Sequence, residues 1–418
     1  MTQAKTVGPG ALPAPGSPAR WSPRLWALLA VLAGNMLIDA LEVSTAVVAA
    51  PSIGADLGLS PAVLQATLTG FALGFGMLLP VAGRLAAARG RRTCYLWALF
   101  VFALASLVAA LTTDPALLLA TRVVKGGCAA LTAPTGLAII VARFGQGRDR
   151  DRAVSVYTLF GAGGFTVGLL LSGLLTEIGW RWTLAMPAPA VLLLLLVGRR
   201  LIPRDGPDGR PPAPRAGIDA RARPALRVRG ALLRSAVGAA CLNGSHLGLL
   251  LILTLRLQGA DGPGWGPMRT GLALLPASAP LMLAALSAGR IIRRFGTARL
   301  IAVGALLPLM GFMYYLGSGP GTDYGTDILP ALLLVGLGFV LCFAALNRQA
   351  TTGVPASTRP RATAAYQAAV QAGAVLVVTP TALLWDTCGD AAAAVLLCAV
   401  GAFGLCAAVI GLPAGRDA

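Results

Sequence analysis

The chain has 418 residues, 56% of them hydrophobic and only 12% charged, with a formal net charge of +18. That balance excludes a soluble globular domain. The basic excess, 34 Lys+Arg against 16 Asp+Glu, lies in short connections between apolar segments, so it reads as membrane topology and contact with anionic lipid and excludes a nucleic-acid partner.

Residues 1–24 are rich in Pro, Gly and Ala and read as a disordered cytoplasmic tail without a cleavable signal peptide. Apolar segments follow at 26–48, 61–82, 94–113, 116–139, 152–175, 181–198, 232–255, 270–289, 298–318, 328–347, 363–385 and 391–413. Most are long enough for a helix to cross a hydrocarbon layer of about 30 Å. The segment at 181–198 is the short one. Apart from Arg122, Lys125, Arg181, Arg234, Arg256 and Arg269, the basic residues lie in the N-terminal tail, at Arg416, or at alternate connections near 84–92, 143–152, 199–229, 290–299 and 348–361. Excess Lys and Arg marks the cytoplasmic side, which places both termini inside a multi-pass protein of the cell membrane. The opposite connections carry acids instead, among them Asp56, Asp114, Glu177, Asp323 and Asp390.

The stretch 199–230 holds nine arginines and six prolines and divides the chain. It reads as a cytoplasmic linker with a short surface helix near 219–229. The halves echo each other. Gly83-Arg84-Leu85-Ala86-Ala87-Ala88-Arg89-Gly90, continuing into Arg91, stands between the second and third segments, and Gly289-Arg290-Ile291-Ile292-Arg293-Arg294-Phe295-Gly296 stands between the eighth and ninth. A basic loop with the same glycine spacing at the same topological place indicates an internal repeat. The expected fold is all-α integral membrane: twelve transmembrane helices as two pseudo-symmetric six-helix bundles around a central cavity. The N-terminal bundle covers 25–198, the linker 199–231 and the C-terminal bundle 232–413.

Charges inside a bilayer cost about 2.5–3.5 kcal/mol each on insertion scales, so they usually face a cavity or a partner. Four stand out. Asp39 and Glu42 lie in the first segment and Arg122 and Lys125 in the fourth, each pair at i,i+3 on one helix face. Depths counted from the segment centres match Asp39 with Lys125 and Glu42 with Arg122, level by level. A carboxylate that alternates between a cation partner and burial can take up and release a proton, and a cationic substrate can compete for it. The structural alternative is a static ion-pair lattice fixing one helix to the other.

The single histidine, His246, lies mid-segment beside Asn243 and Ser245. It reads either as a proton relay or as a hydrogen-bonded polar residue between helices. Asn35 and Gln371 are further candidates for the cavity wall or for helix–helix contacts. Gly161, Gly163, Gly164, Gly168 and Gly173 read as close helix packing, since no strand precedes them and no Lys-Ser/Thr follows. The seven cysteines form no CxxC pair, and no His/Cys/carboxylate group has metal-ligand spacing. No nucleophile–base–acid set is visible, so the sequence does not read as an enzyme.

At this point the chain resembles the major facilitator superfamily of secondary transporters, and its first 185 residues resemble the fourteen-helix branch of drug:proton antiporters. Leu41-Glu42-Val43-Ser44 with Ala49-Ala50-Pro51 is similar to the acid, hydroxyl and Ala-Leu-Pro pattern of that branch's first helix. Gln65 with Gly83-Arg84-Leu85 and Gly90-Arg91-Arg92 is similar to the end of helix 2 and motif A. Arg122 with Gly126 is similar to motif B, and Gly164, Gly168 and Gly173 before Trp180-Arg181-Trp182 are similar to motif C. Gln258, Gly271, Pro276, Gln371 and Gly373 follow the branch in the second half. Four positions of motifs A, B and C depart. Ala87 replaces the motif A aspartate, Lys125 the motif B glutamine, Leu169 the motif C proline and Ser172 one of its glycines. The branch's two additional central helices are replaced by the linker.

The resemblance implies that helices 1 and 4 line the central cavity. It implies proton-coupled efflux of a small amphipathic or antibiotic-like compound by alternating access, by a monomer with no cofactor beyond the proton gradient. The departures at Ala87 and Leu169 leave a second reading open, a facilitator or importer of a small metabolite without antiport. Aromatics are only 6% of the chain, and Ala66 and Phe71 replace the branch's helix 2 tryptophan and tyrosine. A wide apolar cavity poor in aromatic stacking is therefore expected.

Overall fold

The computed structural model describes residues 21–204, 226–259, 262–284, 287–319, 323–355 and 358–410. The predicted tail up to residue 20 and the linker from 205 to 225 lie outside the described residues.

Local chemistry starts the helices where the chain meets polar connections. Ser22 caps α1 (Pro23–Leu57) through the Leu25 amide, with Pro23 at the first helical position, and Gly58 ends it in the left-handed region. Asp114 caps α4 (Pro115–Arg143) through the Ala116 amide, again with a proline following. Between them run α2 (Pro61–Arg89) and α3 (Arg91–Leu111). The first half closes with α5 (Arg148–Ile178), α6 (Trp180–Ala185) and α7 (Pro187–Leu201). The second half holds α8 (Leu226–Gln258), α9 (Pro267–Ala273), α10 (Leu275–Ala284), α11 (Ala288–Phe295), α12 (Thr297–Gly317), α13 (Leu329–Thr351), α14 (Arg359–Cys388) and α15 (Asp390–Val409). A π-helical turn, Tyr324–Ile328, leads into α13, with Asp323 accepting the Gly325 and Thr326 amides.

Among the described residues, eleven helical spans are long and apolar enough to cross a membrane. The short sixth segment is one of them, as α6 and α7 in succession. The predicted continuous span at 270–289 is instead broken into α9, α10 and the start of α11. Pro276 has no amide hydrogen to donate to the carbonyl four residues back, so the hydrogen-bond ladder from α9 cannot continue through it and the chain restarts as α10 after Leu274. Helix α8 begins at Leu226, so the end of the expected linker is already helical.

The twelve segments form two bundles related by an internal repeat. Gly90 joins α2 to α3 with φ 89° and ψ 141°, and Gly296 joins α11 to α12 with φ 77° and ψ 151°. Both sit where a side chain is strained, so the glycines that mark the repeat in sequence end the same helix in each half. Asp56 near the end of α1 pairs with Arg181 of α6 at 2.7 Å, and Arg256 near the end of α8 pairs with Asp390 of α15 at 2.7 Å. These are the first and sixth segments of each half, tied by the same clasp with the charges exchanged.

The packing separates the two ends of the molecule. At the arginine-rich end each half has its own core. One is built around Leu29, Leu32, Tyr95, Leu99 and Ile140, the other around Ile301, Cys342, Leu346 and Tyr366. Toward the acid-rich end, one core joins Val47, Val48 and Leu169 of the first half to Leu249, Leu253 and Leu274 of the second. Three hydrogen bonds join the halves among the described residues, and all lie on that side: Gln65 Nε2 to Thr379 Oγ1 at 2.6 Å, Gln258 Nε2 to the Val48 carbonyl at 3.2 Å, and the Met268 amide to Glu177 Oε1 at 3.2 Å. The halves are therefore sealed together at the acid-rich end.

Candidate functional site: a buried charge cluster between α1 and α4

Helix α1 presents Asn35, Asp39 and Glu42 on one stripe, at spacings of four and three residues. Helix α4 presents Arg122, Lys125 and Thr132 toward it. A third helix closes the site. A Cβ at Gly126 would overlap the Phe71 carbonyl of α2, so the glycine lets α2 lie directly on α4. That approach brings the Thr67 carbonyl to Arg122 Nε at 3.4 Å and the Phe71 ring to 5.7 Å from the guanidinium. Lys125 Nζ lies 4.9 Å from the Phe102 ring centre.

The geometry differs from level-by-level pairing. Glu42 takes both cations: Arg122 Nη1 donates to Oε2 and Lys125 Nζ to Oε1, each at 2.5 Å. Arg122 Nη2 also donates to the Glu42 carbonyl at 3.0 Å. Arg122 is 1% exposed and Glu42 and Lys125 are 0% exposed, so this is a dry, fully partnered cluster. Asp39 is not paired with Lys125. Its Oδ2 accepts from Asn35 Nδ2 at 2.9 Å and from Thr132 Oγ1 at 3.1 Å, while Oδ1 is buried with no hydrogen-bond partner. The helix bounds explain the difference. Helix α1 runs to Leu57 rather than 48, so its centre falls near residue 40 and not 37. That moves Asp39 and Glu42 about 4.5 Å toward the arginine-rich end relative to the expectation, and Lys125 meets Glu42 instead.

The other candidates fall into two groups. Gln371 lines a cavity between the halves with Val43, Val47, Leu68, Phe71 and Leu247. Its volume is about 30 Å³, room for about two waters, so the central space is nearly closed at this level. Asn35 does not face that cavity; it holds Asp39. His246 is buried against Phe339, ring centres 4.7 Å apart, and Phe165 at 6.1 Å, with Nδ1 unpartnered. Phe339 stacks in turn on Phe343 at 5.1 Å. The low aromatic content concealed this file of rings, although Phe339 and Phe343 at i,i+4 were a signal for a shared helix face. Thr132, Tyr95 and Phe102 were also missed, because nothing in their local sequence separates them from ordinary helix residues.

Gly83 and Arg84 are exposed near the end of α2, with open space where a Gly83 Cβ would lie. Arg91 opens α3 after Gly90, and Gly289 lies in α11 before Gly296. Gly168 fits α5 against Leu41 and Ser44 of α1, and Gly173 fits it against Pro267 and Met268 of α9 in the other half. Helix α5 is uninterrupted at Leu169, which is fully buried.

Comparison with known proteins gives a consistent result. The sequence profile of the Major Facilitator Superfamily matches residues 32–378. A puromycin resistance protein of Streptomyces alboniger is 34% identical over 86% of this chain and 81% of its own length. A cephamycin export protein of Amycolatopsis lactamdurans is 30% identical over 81% of this chain and 80% of its own. The crystal structure of the nucleoside transporter NupG superposes with a TM-score of 0.70 over 93% of this chain and 98% of that one, at 14% identity. That last likeness speaks to the fold alone.

Proposed function

Because the chain belongs to the Major Facilitator Superfamily, a family of transporters, we propose that it exports a small antibiotic-like compound by alternating access, with protons entering as the compound leaves. The observation that carries this reading is the cluster of Asp39, Glu42, Arg122 and Lys125, buried within the first half and separated from the cavity between the halves by Phe71, whose ring touches both. Four ionisable groups in that position cost more than a structural contact needs, and intramembrane charges of this kind mark proton and substrate pathways. The relatives support the direction of transport. One is named for puromycin resistance and another for cephamycin export, and both align over most of their length. Puromycin and a cephamycin are therefore the first compounds to test.

On this reading the arginine-rich end faces the cytoplasm of a cell-membrane protein, with both termini inside. The conformation is then closed toward the outside, and export requires the acid-rich seal to open as the two halves rock. The charge cluster lies within one half of one chain, and the working unit is a monomer. The proton gradient supplies the energy.

A facilitator without antiport is the second reading, favoured by the uninterrupted α5 at Leu169. Accumulation of labelled puromycin in cells separates the two. Export predicts lower accumulation than in cells without the protein, reversed by a protonophore and absent in Glu42→Gln. A facilitator predicts accumulation equal to the medium, unaffected by the protonophore.

A further inference from the structure

The two acids of α1 are in unlike states. Glu42 has a cation on each carboxylate oxygen and is sealed from solvent. Asp39, about one turn toward the arginine-rich end, has no cation within ion-pair reach among the described residues. Its neighbours from every packed helix are Glu42 on α1, Lys125 and Cys128 on α4, Tyr95 on α3 and Tyr157 on α5. The only cation among them is Lys125, which is already held by Glu42 at 2.5 Å. The Tyr157 hydroxyl donates to the Ala133 carbonyl at 2.9 Å, and the Tyr95 hydroxyl is buried with no partner.

An isolated carboxylate taken out of water without a counter-charge neutralises rather than remain charged. Asp39 Oδ2 accepts from two neutral donors and Oδ1 has no partner, which leaves Oδ1 as the atom that a proton would occupy. Asp39 Oδ1 is buried in this conformation, so release of a proton from it to water requires the site to open. The family resemblance places the helix 1 acid at Glu42; the geometry points one turn away.

Resting on the proton-coupled reading above, we propose that Asp39, not Glu42, carries the coupled proton and that Lys125 is the latch that releases it. The lysine stem is flexible and its ammonium a compact charge, so it can leave Glu42 Oε1 and reach Asp39 without moving α4. The O–H bond at Asp39 Oδ1 then breaks, the proton passes to water, and the new carboxylate pairs with Lys125. Arg122 stays on Glu42 throughout. Nothing is oxidised, and the buried cluster passes from one net positive charge to none. Lys125 stands where the family has glutamine, so this latch is specific to the chain's own departure from the pattern.

Infrared spectroscopy of the purified full chain in detergent tests this without substrate or gradient, so it stands or falls separately from the export reading. At neutral pH the protein is expected to show the carboxyl C=O stretching band of a protonated buried acid, lost in Asp39→Asn. A wild type with no such band, or a band that survives in Asp39→Asn, overturns the proposal. Thr132→Val guards against a misfolded asparagine variant. It removes one hydrogen bond to the carbonyl oxygen, so the band is expected to persist and move to higher frequency; an unmoved band contradicts the assignment. Lys125→Met is expected to raise the pH at which the band disappears. An unchanged midpoint removes the latch.

Discussion

Glu42 satisfies two buried cations with one carboxylate, so its removal is felt twice. Glu42→Gln leaves Arg122 and Lys125 without their counter-charge in a site closed to water. Breaking a buried pair in this way costs about 3–5 kcal/mol, whereas replacing all partners together costs far less. Glu42→Gln is therefore expected to lower the melting temperature of the detergent-solubilised protein, and Glu42→Gln with Lys125→Gln to recover part of the loss. Additive destabilisation in that cycle would mean that the cluster is not coupled as described. At this scale the sequence was informative about which residues matter and less so about who meets whom. The residue types and the i,i+3 spacing of Asp39/Glu42 and Arg122/Lys125 put the charges on facing stripes. Their partners depended on helix centres, and a nine-residue difference at the end of α1 was enough to give Lys125 to Glu42.

At the scale of elements, small residues decide which helices touch and where they end. A Cβ at Gly164 would overlap the Leu37 carbonyl, and one at Gly168 would lie 2.9 Å from the Leu41 carbonyl, so α5 lies backbone to backbone on α1. The glycines of the repeated loop divide by geometry. Gly90 and Gly296 have positive φ, while Gly83 lies inside α2 with open space around it. Gly90→Ala and Gly296→Ala are each expected to destabilise by about 1 kcal/mol or more, because alanine is strained at positive φ. Gly83→Ala is expected to be neutral or to stabilise by up to about 1 kcal/mol, because alanine is the better helix former. Thermal melts of the three variants side by side check this, and equal losses would contradict it. The loop repeat was legible as spacing in the sequence, and so were most spans. The break of the eighth segment was missed because apolar character runs through it unchanged. Only Pro276 betrayed it, and prolines are tolerated inside α1, α2, α4, α10, α12 and α14.

At the scale of the molecule, the halves share one core at the acid-rich end and keep separate cores at the other. Charge-swapped clasps, Asp56–Arg181 and Arg256–Asp390, tie the first to the sixth segment within each half, so the halves are the natural rigid units of motion. Gln65 and Thr379 mark the moving seam. In a cysteine-free background, Gln65→Cys with Thr379→Cys is expected to be joined by a short bis-thiol reagent, to halt transport, and to regain it on reduction. Joined thiols with undiminished transport would mean that the seam does not open. The seam could not be read from sequence, because it depends on contacts between residues 91 to 314 positions apart.

The most direct test of proton-coupled export is proton flux in proteoliposomes with an imposed pH gradient, adding a panel of antibiotics and lipophilic cations to the wild type, Glu42→Gln and Asp39→Asn. The account predicts that a transported compound collapses the gradient in the wild type and in neither variant. Transport of a compound with no accompanying proton movement would contradict it and leave a facilitator.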